Sequence, residues 1–125
     1  MNLRFTVGVL LYAALAAAPV CAQTVLDGVY SNAQAQRGAR TYANICSKCH
    51  EGGEPDADPL FGPEFIDRWR EAPLSFLHGF FSKNMPAKDP GSLAPAVYID
   101  TLAFLLRENG YPAGSELKAD MLATT

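Results

Sequence analysis

Apolar residues recur at helical spacing in several segments of this chain, and segments rich in proline and glycine separate them. Residues 31–46 contain helix-forming residues without proline, and Gly38, Tyr42 and Ile45 fall three or four positions apart. This spacing predicts a helix that continues directly into the sequence Cys-Ser-Lys-Cys-His at residues 46–50.

Later in the chain, three segments have the apolar spacing of short helices: residues 64–71, 73–83 and 94–110. Pro73 suits the first turn of the second helix, and Pro95 suits the first position of the third. Gly110 suits the position just past the end of that helix. The third helix also has an apolar stripe: Tyr98, Leu102, Leu105 and Leu106.

The segments between these helices read as loops. Residues 51–63 and 84–93 are rich in proline, glycine and aspartate. After Gly114 we expect only a short, poorly ordered tail. No useful length of sequence alternates strictly between apolar and polar residues, which argues against strands. The sequence therefore predicts an all-α domain of three to five short helices.

The first 22 residues resemble a secretory signal peptide. Arg4 precedes an uncharged apolar stretch, and small residues lead to a cleavage position after Ala22. That stretch has about 16 residues, fewer than the roughly 20 that span a bilayer as a helix. We therefore expect residues 1–22 to be removed, and residues 23–125 to form one exported, periplasmic domain without a membrane span.

Size and charge restrict what this mature domain does. Without Arg4, nine Lys and Arg residues remain against thirteen Asp and Glu, so the net charge is about −4. No basic stripe is present, which argues against nucleic-acid binding. A chain of about 100 residues has a limited core. A disulfide between Cys46 and Cys49 would constrain it little, because the closed loop is very short.

The two thiols and the imidazole at residues 46–50 are compatible with several kinds of site: a zinc site, a redox-active thiol pair, a catalytic Cys-His pair or an attached cofactor. A structural zinc site needs four Cys or His ligands, and His78 is the single further histidine in the chain. A redox-active thiol pair belongs beside a strand in a βαβ unit, and no strand is expected here. A catalytic Cys-His pair is disfavoured because neighbouring residues do not generally face each other as nucleophile and base must.

Covalent haem attachment fits the motif best. Cys-X-X-Cys-His is the attachment signature of c-type haem, in which Cys46 and Cys49 join the porphyrin and His50 binds the iron. Export agrees with this use, because attachment takes place outside the cytoplasm. The apolar porphyrin would also supply core that the short chain lacks. We predict one covalent haem c with its iron.

Three side chains are candidates for the sixth iron ligand: Met85, Met121 and His78. Met85 is favoured because it lies in a loop beside Pro86, about 35 residues after His50, whereas core methionines usually lie in helices. A His/Met pair raises the reduction potential of haem iron, and it leaves no axial position for oxygen or peroxide. The predicted protein is a one-electron carrier and not an enzyme.

These residues together resemble class I cytochrome c over nearly the whole mature chain. Gly38 and Tyr42 match the first helix of that family, where glycine allows close approach of the last helix, and Phe104 matches the aromatic residue of that helix. The resemblance implies that the Pro59 carbonyl accepts the imidazole proton of the haem ligand. It also implies that Trp69 donates its indole hydrogen bond to a haem propionate, with core packing as the alternative.

A narrower resemblance lies in residues 59–69, 84–93 and 98–114, which are similar to small cytochromes c associated with bacterial quinone-cofactor dehydrogenases. It implies redox partner proteins: such a dehydrogenase as donor, and an oxidase or another cytochrome as acceptor. Two alternatives remain open, a dedicated subunit of a larger complex and a haem protein with a labile sixth ligand. Few lysines lie near the motif and Met85, so docking through a large basic face is not expected.

Overall fold

The computed structural model describes residues 26–123, so the predicted signal peptide lies outside the described residues. Its helical elements are α1 (Asn32–Thr41), a π-helical segment (Tyr42–Cys46), α2 (Ser47–His50), α3 (Pro63–Trp69), α4 (Leu74–Asn84), α5 (Pro95–Glu108) and a 3-10 turn (Ala119–Leu122). No strand occurs among residues 26–123, and the predicted all-α class is confirmed. Within the same range no helix has the length and apolar character needed to cross a bilayer.

The first three elements form one uninterrupted helical run from Asn32 to His50. It begins with a capping box, in which the Ser31 hydroxyl accepts from the Gln34 amide while the Gln34 side chain accepts from the Ser31 amide. Inside the run, the Ser47 amide donates to the carbonyl of Tyr42, five residues earlier. The predicted helix leading into the cysteine motif is therefore confirmed, and the motif itself is helical.

The later helices begin and end close to their predicted positions. Pro63 and Pro95 lie in the first turns of α3 and α5, and Gly110 follows α5 with φ +79°. Pro73 differs from the prediction, because it caps α4 with extended backbone instead of lying in its first turn. Its carbonyl accepts from the amides of the first turn of α4.

The crossing of α1 and α5 is the most extensive helix–helix contact among the described residues. A Cβ atom at Gly38 would overlap the carbonyl oxygen of Asp100 and lie 2.9 Å from the Cβ of Phe104. Beside this contact the rings of Tyr42 and Phe104 pack with centroids 5.0 Å apart. At the edge of this helix contact, Arg37 of α1 donates to both carboxylate oxygens of Asp100 in α5, at 2.7 and 2.9 Å.

The C-terminal segment is packed, so the expectation of a poorly ordered tail after Gly114 was wrong. Leu117 is buried, and its amide and carbonyl both bond the side-chain amide of buried Gln34 at 2.8 Å. The Gly114 amide also donates to the Tyr30 carbonyl at 2.7 Å. Since these bonds satisfy polar groups that folding buries, they hold the segment against α1.

The tightness of the helix crossing is directly testable. We expect Gly38→Ala to lower the free energy of unfolding by about 1–3 kcal/mol, because the added methyl group overpacks the contact with Asp100. The matched control is Gly79→Ala in α4, where a Cβ meets nothing within 4 Å; it should stabilise by roughly 0.5–1 kcal/mol. Urea denaturation of both variants measures the difference, and equal stabilities would contradict the packing described here.

Candidate cofactor site

A cavity of about 800 Å³ opens between the cysteine motif on one side and α3, α4, α5 and the loop containing Met85 on the other. This volume lies within the range of about 300–1,000 Å³ that is usual for small-molecule and cofactor sites. Its wall is largely apolar: Ile45, Leu60, Phe65, Trp69, Leu77, Phe80, Phe81 and Leu105. A large apolar ligand therefore fits this space.

The helical geometry of the motif brings its three functional side chains to one wall of the cavity. Cys49 and His50 lie three and four positions after Cys46, so each shares a helix face with Cys46, and all three line the cavity. Both thiols are free and partly buried. Burial raises the pKa of the Cys46 thiol, and the neighbouring Cys49 raises it further. The two thiols are placed to form thioethers with a group inside the cavity.

The imidazole of His50 is oriented by a backbone carbonyl. Its Nδ1 lies 2.8 Å from the carbonyl oxygen of Asp58. With the proton on Nδ1, the lone pair of Nε2 is free for a metal. The acceptor differs from the prediction, which assigned the Pro59 carbonyl; the loop presents the carbonyl one residue earlier, and Pro59 lines the cavity wall instead.

Asp58 is in turn held by a cation on α3. Arg68 Nη1 lies 3.0 Å from Asp58 Oδ2, and the guanidinium carbon lies 5.2 Å from the Trp69 ring centroid and 5.3 Å from that of Phe80. Both charged side chains are largely exposed, so the ion pair contributes little to stability. Its effect is to orient the loop that contacts His50.

Asn109 fixes the far end of that loop. Its side-chain nitrogen donates to the carbonyls of Leu60 and Leu105, at 2.9 and 2.8 Å, and its oxygen accepts from the Gly62 amide at 3.0 Å. The sequence did not point to this residue, because nothing local to it indicates bonds to a loop 47 residues away. Together with Asp58, Asn109 determines where the loop lies beside the cavity.

Met85 directly follows α4 and lines the cavity. Its amide donates to the carbonyl of Phe81 at 3.0 Å, and its carbonyl accepts from the Tyr98 hydroxyl at 2.7 Å and from the Gly91 amide at 3.3 Å. Both backbone polar groups of this residue are thus paired. The role of Tyr98 was missed at the sequence level, where it counted only as part of an apolar stripe.

The other two candidate sixth ligands lie away from the cavity. His78 faces a separate groove on α4, where burial lowers the pKa of its imidazole. The sulfur of Met121 accepts from the Lys118 amide at 3.4 Å in the C-terminal segment. Neither residue lines the cavity that contains the cysteine motif.

Trp69 lines the cavity and is only 6 % exposed. Its ring packs against three phenylalanines at centroid distances of 5.5–6.5 Å: Phe65, Phe76 and Phe80. Trp69 therefore has the core packing that was the alternative interpretation. Its hydrogen bond to a propionate stays a prediction.

Charges of both signs surround the cavity. Cations are contributed by Lys48, Arg68 and Lys88, and carboxylates by Glu54, Asp56, Asp58 and Glu64. Lys88 Nζ lies 3.5 Å from Glu54 Oε1, which joins the loop after Met85 to the loop after His50. Because its cations and carboxylates are interspersed, the cavity rim is not a broad basic face.

An all-α fold whose apolar cavity carries Cys-X-X-Cys-His is the cytochrome c fold, and it defines a c-type cytochrome. The family model described as "Cytochrome C oxidase, cbb3-type, subunit III" matches residues 33–105, more than half of the chain, and the chain belongs to this family. No curated protein and no solved structure shows significant similarity to it.

Family membership confirms the coarser predictions: a c-type cytochrome that binds haem c with its iron and has a haem-based role in electron transfer. The finer ones stay predictions. They are the class I assignment, the association with quinone-cofactor dehydrogenases, the periplasmic location and the roles of individual residues.

Covalent attachment through the two thiols makes a simple prediction. The mature protein should keep its pigment in acidified organic solvent, because thioethers survive this treatment. The double variant Cys46→Ala/Cys49→Ala should release all of its pigment, measured by absorption of the extract. The control Ser47→Ala, which changes a residue between the two cysteines and keeps both thiols, should release none. Extraction of pigment from the parent protein would contradict covalent attachment.

Proposed function

We propose that this chain is a periplasmic one-electron carrier whose haem iron is held between His50 and Met85. The observation that carries the proposal is the position of both side chains on the wall of the same apolar cavity as the two thiols. His78 and Met121 line no part of that cavity. Of the three candidate sixth ligands, Met85 is therefore the one that lines the cavity.

The residues present fit a haem. The cavity has a suitable volume and an apolar wall, two free thiols lie three residues apart on it, and an imidazole is already oriented through Nδ1. When bound, haem c supplies an iron that gains and loses one electron. The protein contributes the tether, the axial side chains and the dielectric environment that tune the reduction potential.

Each residue has a separate task in this proposal. Cys46 and Cys49 hold the cofactor by covalent bonds, so that it stays bound in both redox states. The Asp58 carbonyl keeps the His50 proton on Nδ1, which preserves Nε2 as a ligand and increases its basicity. Met85 would be the second protein ligand of the iron, which would exclude oxygen and peroxide and leave electron transfer as the chemistry.

The proposed partners are other redox proteins, with a quinone-cofactor dehydrogenase as donor and an oxidase or another cytochrome as acceptor. The interspersed charges at the rim support docking that does not depend on a large basic face. The proposed periplasmic location rests on the signal-like residues 1–22 and on the need for haem attachment outside the cytoplasm.

A second candidate is a dedicated subunit of a larger complex. The matched family is named for subunit III of a cbb3-type cytochrome c oxidase, which specifically favours this candidate. The haem chemistry is the same in both cases. The difference lies in whether the partner is permanent.

Ligation by Met85 is tested by spectroscopy. Ferric parent protein should show the weak far-red band of methionine bound to iron, and Met85→Ala should lose it completely. The same variant should bind carbon monoxide rapidly when reduced, because the sixth position is then open. His78→Gln is the control and should retain the band. A band that persists in Met85→Ala would refute the assignment, and rapid carbon monoxide binding by the parent would favour a labile sixth ligand.

Size-exclusion chromatography separates the free carrier from the subunit. For material purified from the native host under mild conditions, we expect elution as a small protein, lighter than the 13.5 kDa full chain because residues 1–22 are expected to be removed. The physical reason is the interspersed charge of the rim, which suits transient contacts better than permanent ones. Co-elution of the haem absorbance with a large complex would contradict the free carrier and support the subunit.

A further inference from the structure

Tyr98 connects α5 to both ends of the loop that contains Met85. Its hydroxyl donates to the Met85 carbonyl at 2.7 Å and accepts from the Leu93 amide at 3.3 Å. The side chain is only 4 % exposed, so both bonds lie mostly out of water. One phenolic oxygen thus joins the residue that starts the loop to a residue that ends it.

The remaining hydrogen bonds of the loop are made within the loop or to α4, and the ion pair of Lys88 with Glu54 joins it to the loop after His50. The Met85 amide donates to Phe81, the Gly91 amide donates to Met85, and the Asp89 amide donates to Pro86. Between residues 26 and 123, the hydrogen bonds that join this loop to α5 are those of Tyr98. Its hydroxyl is therefore the polar contact that sets the position of the loop relative to α5.

The ring of Tyr98 is itself fixed by packing. It meets the ring of Phe81 edge to face, with centroids 5.2 Å apart. Phe81 lines the cavity, and its carbonyl accepts the Met85 amide. Tyr98 and Phe81 thus hold the two backbone polar groups of Met85 from two different helices.

We propose that Tyr98 is a positioning residue for the sixth iron ligand: its hydroxyl holds the loop against α5, so that the Met85 side chain stays on the cavity wall. This inference rests on the proposed ligation by Met85 and adds the group that stabilises it. Opening of the loop breaks both bonds of the hydroxyl. Removing the hydroxyl leaves the Met85 carbonyl and the Leu93 amide without this partner in the closed state, which favours opening.

The test is competition between Met85 and added imidazole in the ferric holoprotein. Imidazole binds only when the methionine has left the iron, so its apparent dissociation constant varies inversely with the fraction of open protein. We expect Tyr98→Phe to lower that constant about tenfold, equivalent to about 1.4 kcal/mol. Loss of the far-red band during titration measures binding.

Tyr111→Phe is the matched control. Tyr111 is buried like Tyr98, but its hydroxyl has no hydrogen-bond partner among the described residues. This variant should bind imidazole with the parent affinity. If both variants change the affinity equally, or if Tyr98→Phe lowers global stability without changing the affinity, the proposal is overturned.

A double-mutant cycle excludes a general effect on the cavity. In the Met85→Ala background there is no methionine to displace, so adding Tyr98→Phe should leave imidazole affinity unchanged. Because this background lacks the far-red band, the shift of the main haem absorption band measures binding there. A tenfold effect that persists in this background would overturn the positioning role. The absence of the far-red band from the parent protein would instead refute ligation by Met85, which distinguishes the two failures.

Hydrogen exchange of the parent holoprotein tests the same contact if Tyr98→Phe does not mature. The amides of Leu93 and Gly91 should exchange slowly, and saturating imidazole should increase both rates together. Fast exchange at Leu93 before imidazole is added would overturn the proposal.

Discussion

The close contact of α1 with α5 at Gly38 fixes the rest of the domain. Because α1 continues through the π-helical segment into α2, the position of this crossing also determines where Cys46 and His50 lie. α5 lies on the other side of the contact, and its Thr101 and Leu105 form part of the cavity wall. One backbone contact thus sets the distance between the motif and the helix that supports the opposite wall.

The side chains proposed as axial ligands are held through main-chain carbonyls. The Asp58 carbonyl accepts from His50, and the Met85 carbonyl accepts from Tyr98. A carbonyl is present at every residue, so these bonds depend on the path of the loops more than on the side chains at the acceptor positions. Asn109 and Tyr98, which determine these paths, are therefore as important to the site as the residues that line it.

Much of the fold was predictable because its signals are local. Proline lies at the start of α3 and of α5, glycine follows the end of α5, and the spacing of apolar residues identifies these helices. The motif likewise predicted that Cys46, Cys49 and His50 act on one cofactor, and all three line the same cavity. The pairing of Gln34 with Leu117 was not predictable, since it joins residues 83 positions apart and a single buried leucine has no periodicity. The Asp58 carbonyl was missed because sequence does not indicate which peptide group a loop turns towards a histidine.

The π-helical segment changes the direction in which the side chains after it point. A turn closed by the bond from Ser47 to Tyr42 contains one residue more than an α-helical turn. Each residue of an α-helix advances the side-chain direction by about 100°. If the same residues wound as a regular α-helix instead, the two thiols and the imidazole would turn by roughly that angle relative to the buried face of α1. The wider turn therefore lets the buried face of α1 and the cavity-lining side chains of the cysteine motif both point into the domain.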